Sequence, residues 1–120
     1  MSQSPIDAPT FEALVALEAD AAPGLVQGMI QKFFEDAPSS IEKIKQAIEK
    51  NDAHAVSLEV HNLKSSCAYL GAFPMRNICL ELEHEVHPSA NFSKVSSLTK
   101  QLEEEYQCVK SNLEMRRAAL

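Results

Sequence analysis

The residue best placed to do chemistry in this sequence is His61, in the middle of the chain. If the stretch around it is a helix, with about 100° between successive residues, one broad apolar face forms. That face carries residues suited to a core: Val56, Val60, Leu63, Cys67 and Leu70. His61 projects from roughly the opposite side, so the spacing predicts an exposed imidazole.

An exposed imidazole is largely uncharged at about pH 7 and keeps a free nitrogen lone pair, so it can act as a nucleophile. Lys64, one helical turn further on, would place a positive charge beside it. That charge suits an incoming phosphoryl group. Ser57, Ser65 and Ala68 are small neighbours at helical spacing, so another protein's active site could come close. The alternative is an ordinary surface histidine.

The pattern H-x-L-K-S-S-x-x-x-L-G-A resembles the signature of the histidine-containing phosphotransfer (HPt) domain family. The matching positions are His61, Leu63, Lys64, Ser65, Ser66, Leu70, Gly71 and Ala72. The fourth position after the histidine is commonly Gly in that family, and Ser65 is an equally small variant. Cys67 stands where Ser or Ala is usual. A looser likeness extends from about Phe11 to Leu113.

The resemblance implies a phosphocarrier in a multistep His–Asp relay, not an enzyme. A receiver domain of a response regulator or hybrid histidine kinase would present its aspartyl phosphate to His61. A second receiver would then take the phosphoryl group. Mg²⁺ would belong to the receivers, and the carrier would need no cofactor of its own. The sequence shows no Gly-rich phosphate loop or kinase signature, so the chain is not expected to phosphorylate itself.

Glu83 is the second candidate site residue. It falls on the next predicted helix, which would run antiparallel and allow it to face His61. A carboxylate that accepts from one ring nitrogen would fix the tautomer and leave the other nitrogen free to attack. The resemblance implies an acidic or amide residue in this role. The alternative is that Glu81, Glu83 and Glu85 are simply surface carboxylates.

An exposed apolar patch beside His61 would suit a transient docking site, with Phe11, Leu14 and Val15 as candidates. His54, about two turns before His61, could border that surface or merely be solvated. His84 and His87 lie three apart on one predicted helix. A metal site would need more ligands than the nearby sequence supplies, so no metal is expected.

Composition bounds the class of protein. The chain has 120 residues, enough for one core, and its net charge of −6 argues against general nucleic-acid binding and against adhesion to anionic lipid. Three cysteines without close spacing predict buried, reduced thiols. No apolar run approaches ~18 residues and no signal peptide is visible, so we expect a cytoplasmic protein. The acidic surface and the short chain favour a monomer over a dimer.

Periodicity and end signals predict an all-α fold. A flexible lead-in over residues 1–9 should precede one domain over 10–117. Helices are predicted over 10–20 and 24–36. A third, capped by Ser39 with Glu42, would start after Pro38 and could continue the second as one broken arm. Asp52 should cap the His61 helix and Gly71 should end it.

The last two helices should begin near Pro74 and near Asn91 or Ser93, the final one reaching Arg117. Val95, Leu98, Leu102, Tyr106, Val109 and Leu113 form its packing seam. Short connections favour antiparallel neighbours. We therefore expect an antiparallel four-helix bundle with one or two additional N-terminal helices.

Two other functions fit the same pattern. A non-catalytic interaction module could bind receiver or kinase domains through these helices without carrying phosphate. Alternatively, the chain could be a phosphotransfer module of a chemotaxis-type kinase, loaded at His61 by a separate ATP-binding domain.

Overall fold

The computed structural model describes residues 4–21 and 23–120. This part of the chain forms α-helices and no strand: α1 (Ala8–Ala21), α2 (Leu25–Glu49), α3 (Ala53–Leu70), α4 (Phe73–Glu85) and α5 (Phe92–Ala118). The last four helices make an antiparallel bundle. α2 packs on α3, α3 on α4 and α4 on α5, and α5 closes the ring against α2. α1 packs on α2 and α3. The predicted bundle is confirmed, with one additional N-terminal helix.

α2 is one continuous helix where two were predicted. Pro38 lies inside it and has no N–H to donate to the Phe34 carbonyl, which costs roughly 3 kcal/mol in a helix interior. The buried stripe nevertheless continues across the proline through Phe33, Ala37 and Ile41. Because tertiary packing outweighs the local break, the predicted cap at Ser39 is wrong. Ser39 and Glu42 are exposed residues within the helix.

Both predicted ends of α3 are confirmed. The Asp52 carboxylate accepts a hydrogen bond from the Ala55 N–H at 3.1 Å, as an N-cap does. Gly71 follows the last residue of the helix with a φ of 80°, the left-handed conformation of a C-cap. The Gly71 carbonyl also accepts from the Asp7 N–H at 2.8 Å. The start of α1 is therefore held against the end of α3.

Gly71→Ala is expected to destabilise the protein by about 1–3 kcal/mol. A side chain in the left-handed conformation costs roughly 1–2 kcal/mol. The new Cβ would also lie 3.0 Å from the Thr10 Cβ. Gly28→Ala is the matched control, because Gly28 lies within α2 with open space around it. That variant should gain about 0.5–1 kcal/mol. Urea unfolding followed by circular dichroism measures both, and equal unfolding free energies would contradict the close approach.

The N-terminal segment packs into the core from an earlier residue than predicted. Residues 1–3 of the expected lead-in lie outside the described residues. Ile6 is fully buried, and α1 begins at Ala8 rather than Thr10. Phe11 is also buried, with the Arg116 guanidinium 5.3 Å from its ring centre. The docking role expected for Phe11 is therefore wrong, because its side chain belongs to the core.

The remaining helices follow the predicted pattern with small corrections. On α4, Leu82 is buried and Ile78 is half-buried, as is Val86 directly after the last residue of the helix. α5 begins after Asn91, whose side chain accepts from the Ser93 N–H at 3.0 Å, and its predicted seam is buried. Cys67 and Cys79 are buried, but Cys108 is exposed, which corrects the prediction for that thiol. Among the described residues, no helix combines the length and apolar character that crossing a membrane requires.

Candidate functional site

His61 lies on the outer face of α3, as its spacing predicts. Its side chain is 63% exposed, while the predicted core residues of the same helix are buried. α4 runs back along α3 after the short turn at residues 71–72, which brings Glu83 opposite His61. The two residues are 22 positions apart in the chain.

The Glu83 carboxylate contacts both His61 and Lys64 of the motif. Glu83 Oε2 lies 3.4 Å from His61 Nδ1, and Glu83 Oε1 accepts a 2.7 Å hydrogen bond from Lys64 Nζ. At 3.4 Å the imidazole contact is long for a hydrogen bond, so Glu83 is held chiefly by Lys64. The Lys64 and Glu83 side chains are only 25% and 26% exposed, which shields their ion pair partly from water.

The surroundings of Glu83 lower the pKa of its carboxyl group. The hydrogen bond from Lys64 is the main cause that lowers the pKa of Glu83 below its ordinary value. Burial opposes it with the next largest effect, and the contact with His61 adds a smaller lowering. Glu83 is therefore ionised near neutral pH and can only accept hydrogen bonds. An acceptor facing Nδ1 favours the tautomer that carries its proton there. In that tautomer the free lone pair is on Nε2.

Glu83→Gln tests this pair through the pH dependence of stability. Because the folded-state pKa of Glu83 is lowered, its stabilising effect is present above the unfolded-state pKa. The effect is lost as the pH falls through the folded-state value. We expect the variant to be less stable than wild type at pH 7, by up to about 1 kcal/mol. The difference should shrink when the pH drops below the ordinary glutamate value of 4.5.

Unfolding in urea at pH 7 and at stepwise lower pH measures this change. Glu81→Gln is the matched control, because Glu81 is an exposed carboxylate on the same helix. It should show a smaller difference at pH 7. A Glu83→Gln deficit that stays constant with pH would contradict an ionic role for the Lys64–Glu83 pair.

Space around the imidazole is kept by small side chains. Ser65 and Ala68 are exposed, and Ser57 is half-buried. The Ser65 hydroxyl donates to the His61 carbonyl at 3.3 Å, so it lies back against the helix instead of reaching over the ring. An approaching protein therefore meets the imidazole before it meets these neighbours.

Three apolar residues of α3 and α4 that the sequence did not single out are exposed. Tyr69, Leu58 and Leu80 are 67%, 54% and 44% exposed. The predicted docking residues Leu14 and Val15 are instead half-buried against the core. The spacing of residues gave no sign that Tyr69 and Leu80 would stay uncovered. Their exposure depends on which helices pack on α3 and α4.

The histidines outside the motif do not form a metal centre in the described part of the chain. His54, His84 and His87 are exposed. Across residues 4–21 and 23–120, no three His, Cys, Asp or Glu side chains converge as metal ligands would. In the described part of the chain, Glu83 contacts His61, and Lys64 contacts Glu83.

Comparison with known families finds a match over most of the bundle. The Hpt domain family matches residues 28–119, which include most of α2 and all of α3, α4 and α5. The crystal structure of histidine-containing phosphotransfer protein B (HptB) from Pseudomonas aeruginosa PAO1 superposes with a TM-score of 0.81. The alignment covers 99% of both chains at 21% identity. That structure shares the fold.

Curated relatives of this chain are named as phosphotransfer or phosphorelay proteins. Histidine-containing phosphotransfer protein 2 from Arabidopsis thaliana is 27% identical over 107 residues, covering 87% of this chain and 68% of that protein. Multistep phosphorelay regulator 1 from Schizosaccharomyces pombe is 29% identical over 79 residues, covering 66% and 27%. Pseudo histidine-containing phosphotransfer protein 1 from Oryza sativa subsp. japonica is 33% identical over 66 residues, covering 53% and 35%. The chain thus matches 68% of the first relative's length but only 27% and 35% of the other two.

Proposed function

The chain belongs to the Hpt domain family, and from that membership we propose that His61 carries phosphate between two receiver domains. Histidine phosphotransfer in a phosphorelay is the role that the family and its relatives support. One observation makes His61 the proposed carrier. It is an exposed imidazole whose Nδ1 faces an ionised carboxylate, so that Nε2 is the free nucleophile.

The proposed transfer is an in-line displacement at phosphorus. The Nε2 lone pair attacks the phosphoryl group of a receiver's aspartyl phosphate, the N–P bond forms, and the acyl O–P bond breaks. The bonding electrons leave with the aspartate, which becomes a free carboxylate. The Nδ1 proton stays on the ring, which carries positive charge once phosphorylated. Glu83 Oε2 lies on that side of the ring and stabilises the charge.

Lys64 has two proposed tasks. In the unphosphorylated protein its ammonium fixes the Glu83 carboxylate at 2.7 Å, which keeps the second oxygen directed at His61. Because Lys64 lies one turn from His61, its charge also lies near the arriving phosphoryl oxygens. The ammonium group has three donors and can serve an oxygen of each partner.

The second receiver takes the phosphoryl group by the reverse step, its aspartate attacking phosphorus as His61 Nε2 departs. Mg²⁺ is proposed to be bound by the receivers, where it neutralises phosphoryl charge. The carrier supplies the nucleophile, the carboxylate and the cation. We propose that it acts as a cytoplasmic monomer that binds one receiver at a time and has no ATP-dependent kinase activity of its own.

Labelled phosphoryl transfer from a panel of purified, phosphorylated receivers tests the proposal. At least one receiver should label the protein within minutes, and the label should be labile to acid and stable to base, as a phosphohistidine is. An absence of label from every receiver on a folded sample would contradict receiver loading. A purified kinase domain would then be tried as donor. If that also failed, a non-catalytic interaction module would be the better description.

A further inference from the structure

A groove between α2 and α3 runs along the side of the His61 helix. Three cavities of 170, 310 and 280 Å³ follow one another along it. The first and second share Phe33, Asp36 and Ser66, and the second and third share Lys43 and Glu59. They form one continuous groove, whose middle section is lined by Asn62, the residue after His61.

The end of the groove at Tyr69 is different from the middle. The 170 Å³ cavity, here called the notch, is lined mainly by apolar side chains: Met29, Phe33, Tyr69 and Leu70. Lys32 and Asp36 border it and form an ion pair with each other at 3.2 Å, so the notch has no net charge at its rim. The middle cavity is lined instead by polar groups, including Ser40 and Asn62, and by charged ones, including the Lys43–Glu59 pair.

The size of the notch limits what can enter it. An apolar cavity of about 150 Å³ can hold one benzene ring. The notch, at 170 Å³, therefore has room for a single large aliphatic or aromatic side chain. Tyr69, which is 67% exposed, forms one wall and can pack against such a side chain as it enters. Exposed tyrosines beside pockets are frequent energetic anchors of protein interfaces.

We propose that Tyr69 and the notch determine which receiver this carrier accepts, by binding one large apolar side chain of the receiver. This inference rests on the proposed function. Tyr69 follows His61 by eight residues, which places it about 12 Å further along the helix axis. The partner must therefore present that side chain about 12 Å from its aspartyl phosphate, with polar groups between them that match the middle of the groove.

The other side of His61 is less suited to this task. There Leu80 is exposed, but Glu81 and Glu83 lie beside it on α4. Glu83 is already bound to Lys64. The aspartyl phosphate that a receiver presents is itself an anion, so close approach over α4 would bring like charges together. The notch on the α2 side is mainly apolar and its two rim charges are paired, so it imposes no such cost.

The kinetics of transfer from a phosphorylated receiver test this proposal. Tyr69→Ala should raise the receiver concentration that gives half-maximal labelling by about 10–30-fold, with the maximal rate unchanged. Ser66→Leu, which would fill the notch from its rim, should have the same kind of effect. Leu80→Ala is the matched control and should stay within twofold of wild type.

Direct labelling by phosphoramidate separates the outcomes, because this small donor needs no docking surface. Tyr69→Ala and Ser66→Leu should both be labelled as fast as wild type. If wild type is labelled by no receiver, it is the proposed function that fails. A different outcome is that wild type is labelled normally, Tyr69→Ala behaves like wild type and Leu80→Ala is weakened. The receiver then docks over α4, and the notch proposal is overturned.

Discussion

His61→Gln is expected to reduce phosphoryl acceptance from every receiver to background. Glutamine keeps a polar side chain near Glu83 but offers no nucleophilic nitrogen lone pair, since its amide nitrogen is conjugated. The fold should survive, because the His61 side chain is 63% exposed and its contact with Glu83 is long. We expect the unfolding free energy to change by no more than about 0.5 kcal/mol. Labelling by a phosphorylated receiver and unfolding in urea measure the two effects.

His54→Gln is the control for this experiment. His54 is an exposed histidine on the same helix, two turns earlier, and it is not in contact with the Glu83–Lys64 pair. That variant should be labelled like wild type. Full labelling of His61→Gln, with a phosphohistidine in the product, would place the reactive residue elsewhere and end the case for His61.

Ser65→Trp is expected to slow transfer from receivers by at least roughly 100-fold, since even small misplacements of reacting groups cost that much. Ser65 is exposed one turn after His61, and side chains at this spacing are neighbours on a helix surface. An indole there would fill the space through which a receiver approaches. The imidazole and its contact with Glu83 would remain. The rate of transfer at saturating receiver is the quantity to measure.

Two comparisons isolate the effect of access. Phosphoramidate is small enough to reach His61 past an indole, so it should label Ser65→Trp within a few-fold of wild type. Ser111→Trp adds the same side chain to an exposed position on α5 and should transfer normally. If phosphoramidate labelling of Ser65→Trp falls as far as receiver labelling does, the substitution has damaged the imidazole and the steric interpretation is wrong.

Local signals predicted much of the fold. The ends of α3 depend on the side-chain oxygen of Asp52 and on the conformational freedom of Gly71, which both act within a few residues. Both ends were found where expected. Pro38 misled the same reasoning. Its local effect is to break a helix, but the burial of Phe33 and Ile41 on either side holds α2 continuous. The strength of that packing depends on α3 and α5, which a local pattern does not contain.

The site likewise combines features that a local pattern predicts with features that depend on how the helices pack. The exposure of His61 follows from the position of the apolar face on its own helix. The contact with Glu83 was one of two open interpretations, because it needs the register between α3 and α4. The burial of Phe11 could not be read from spacing, since α1 turns that ring toward Arg116 at the end of α5. Which apolar residues remain uncovered is a property of the assembled bundle.

The reactive pair also lies within a single helical hairpin. His61 and Glu83 are 22 residues apart, whereas the contact of Gln31 with Arg117, which helps close the ring of helices, spans 86 residues. Contacts between near neighbours in sequence cost little chain entropy and form early in folding. We therefore expect the α3–α4 register to be established before α2 and α5 meet. Substitutions in α2 or α5 would then change the lifetime of the native state and leave the alignment of His61 with Glu83 intact.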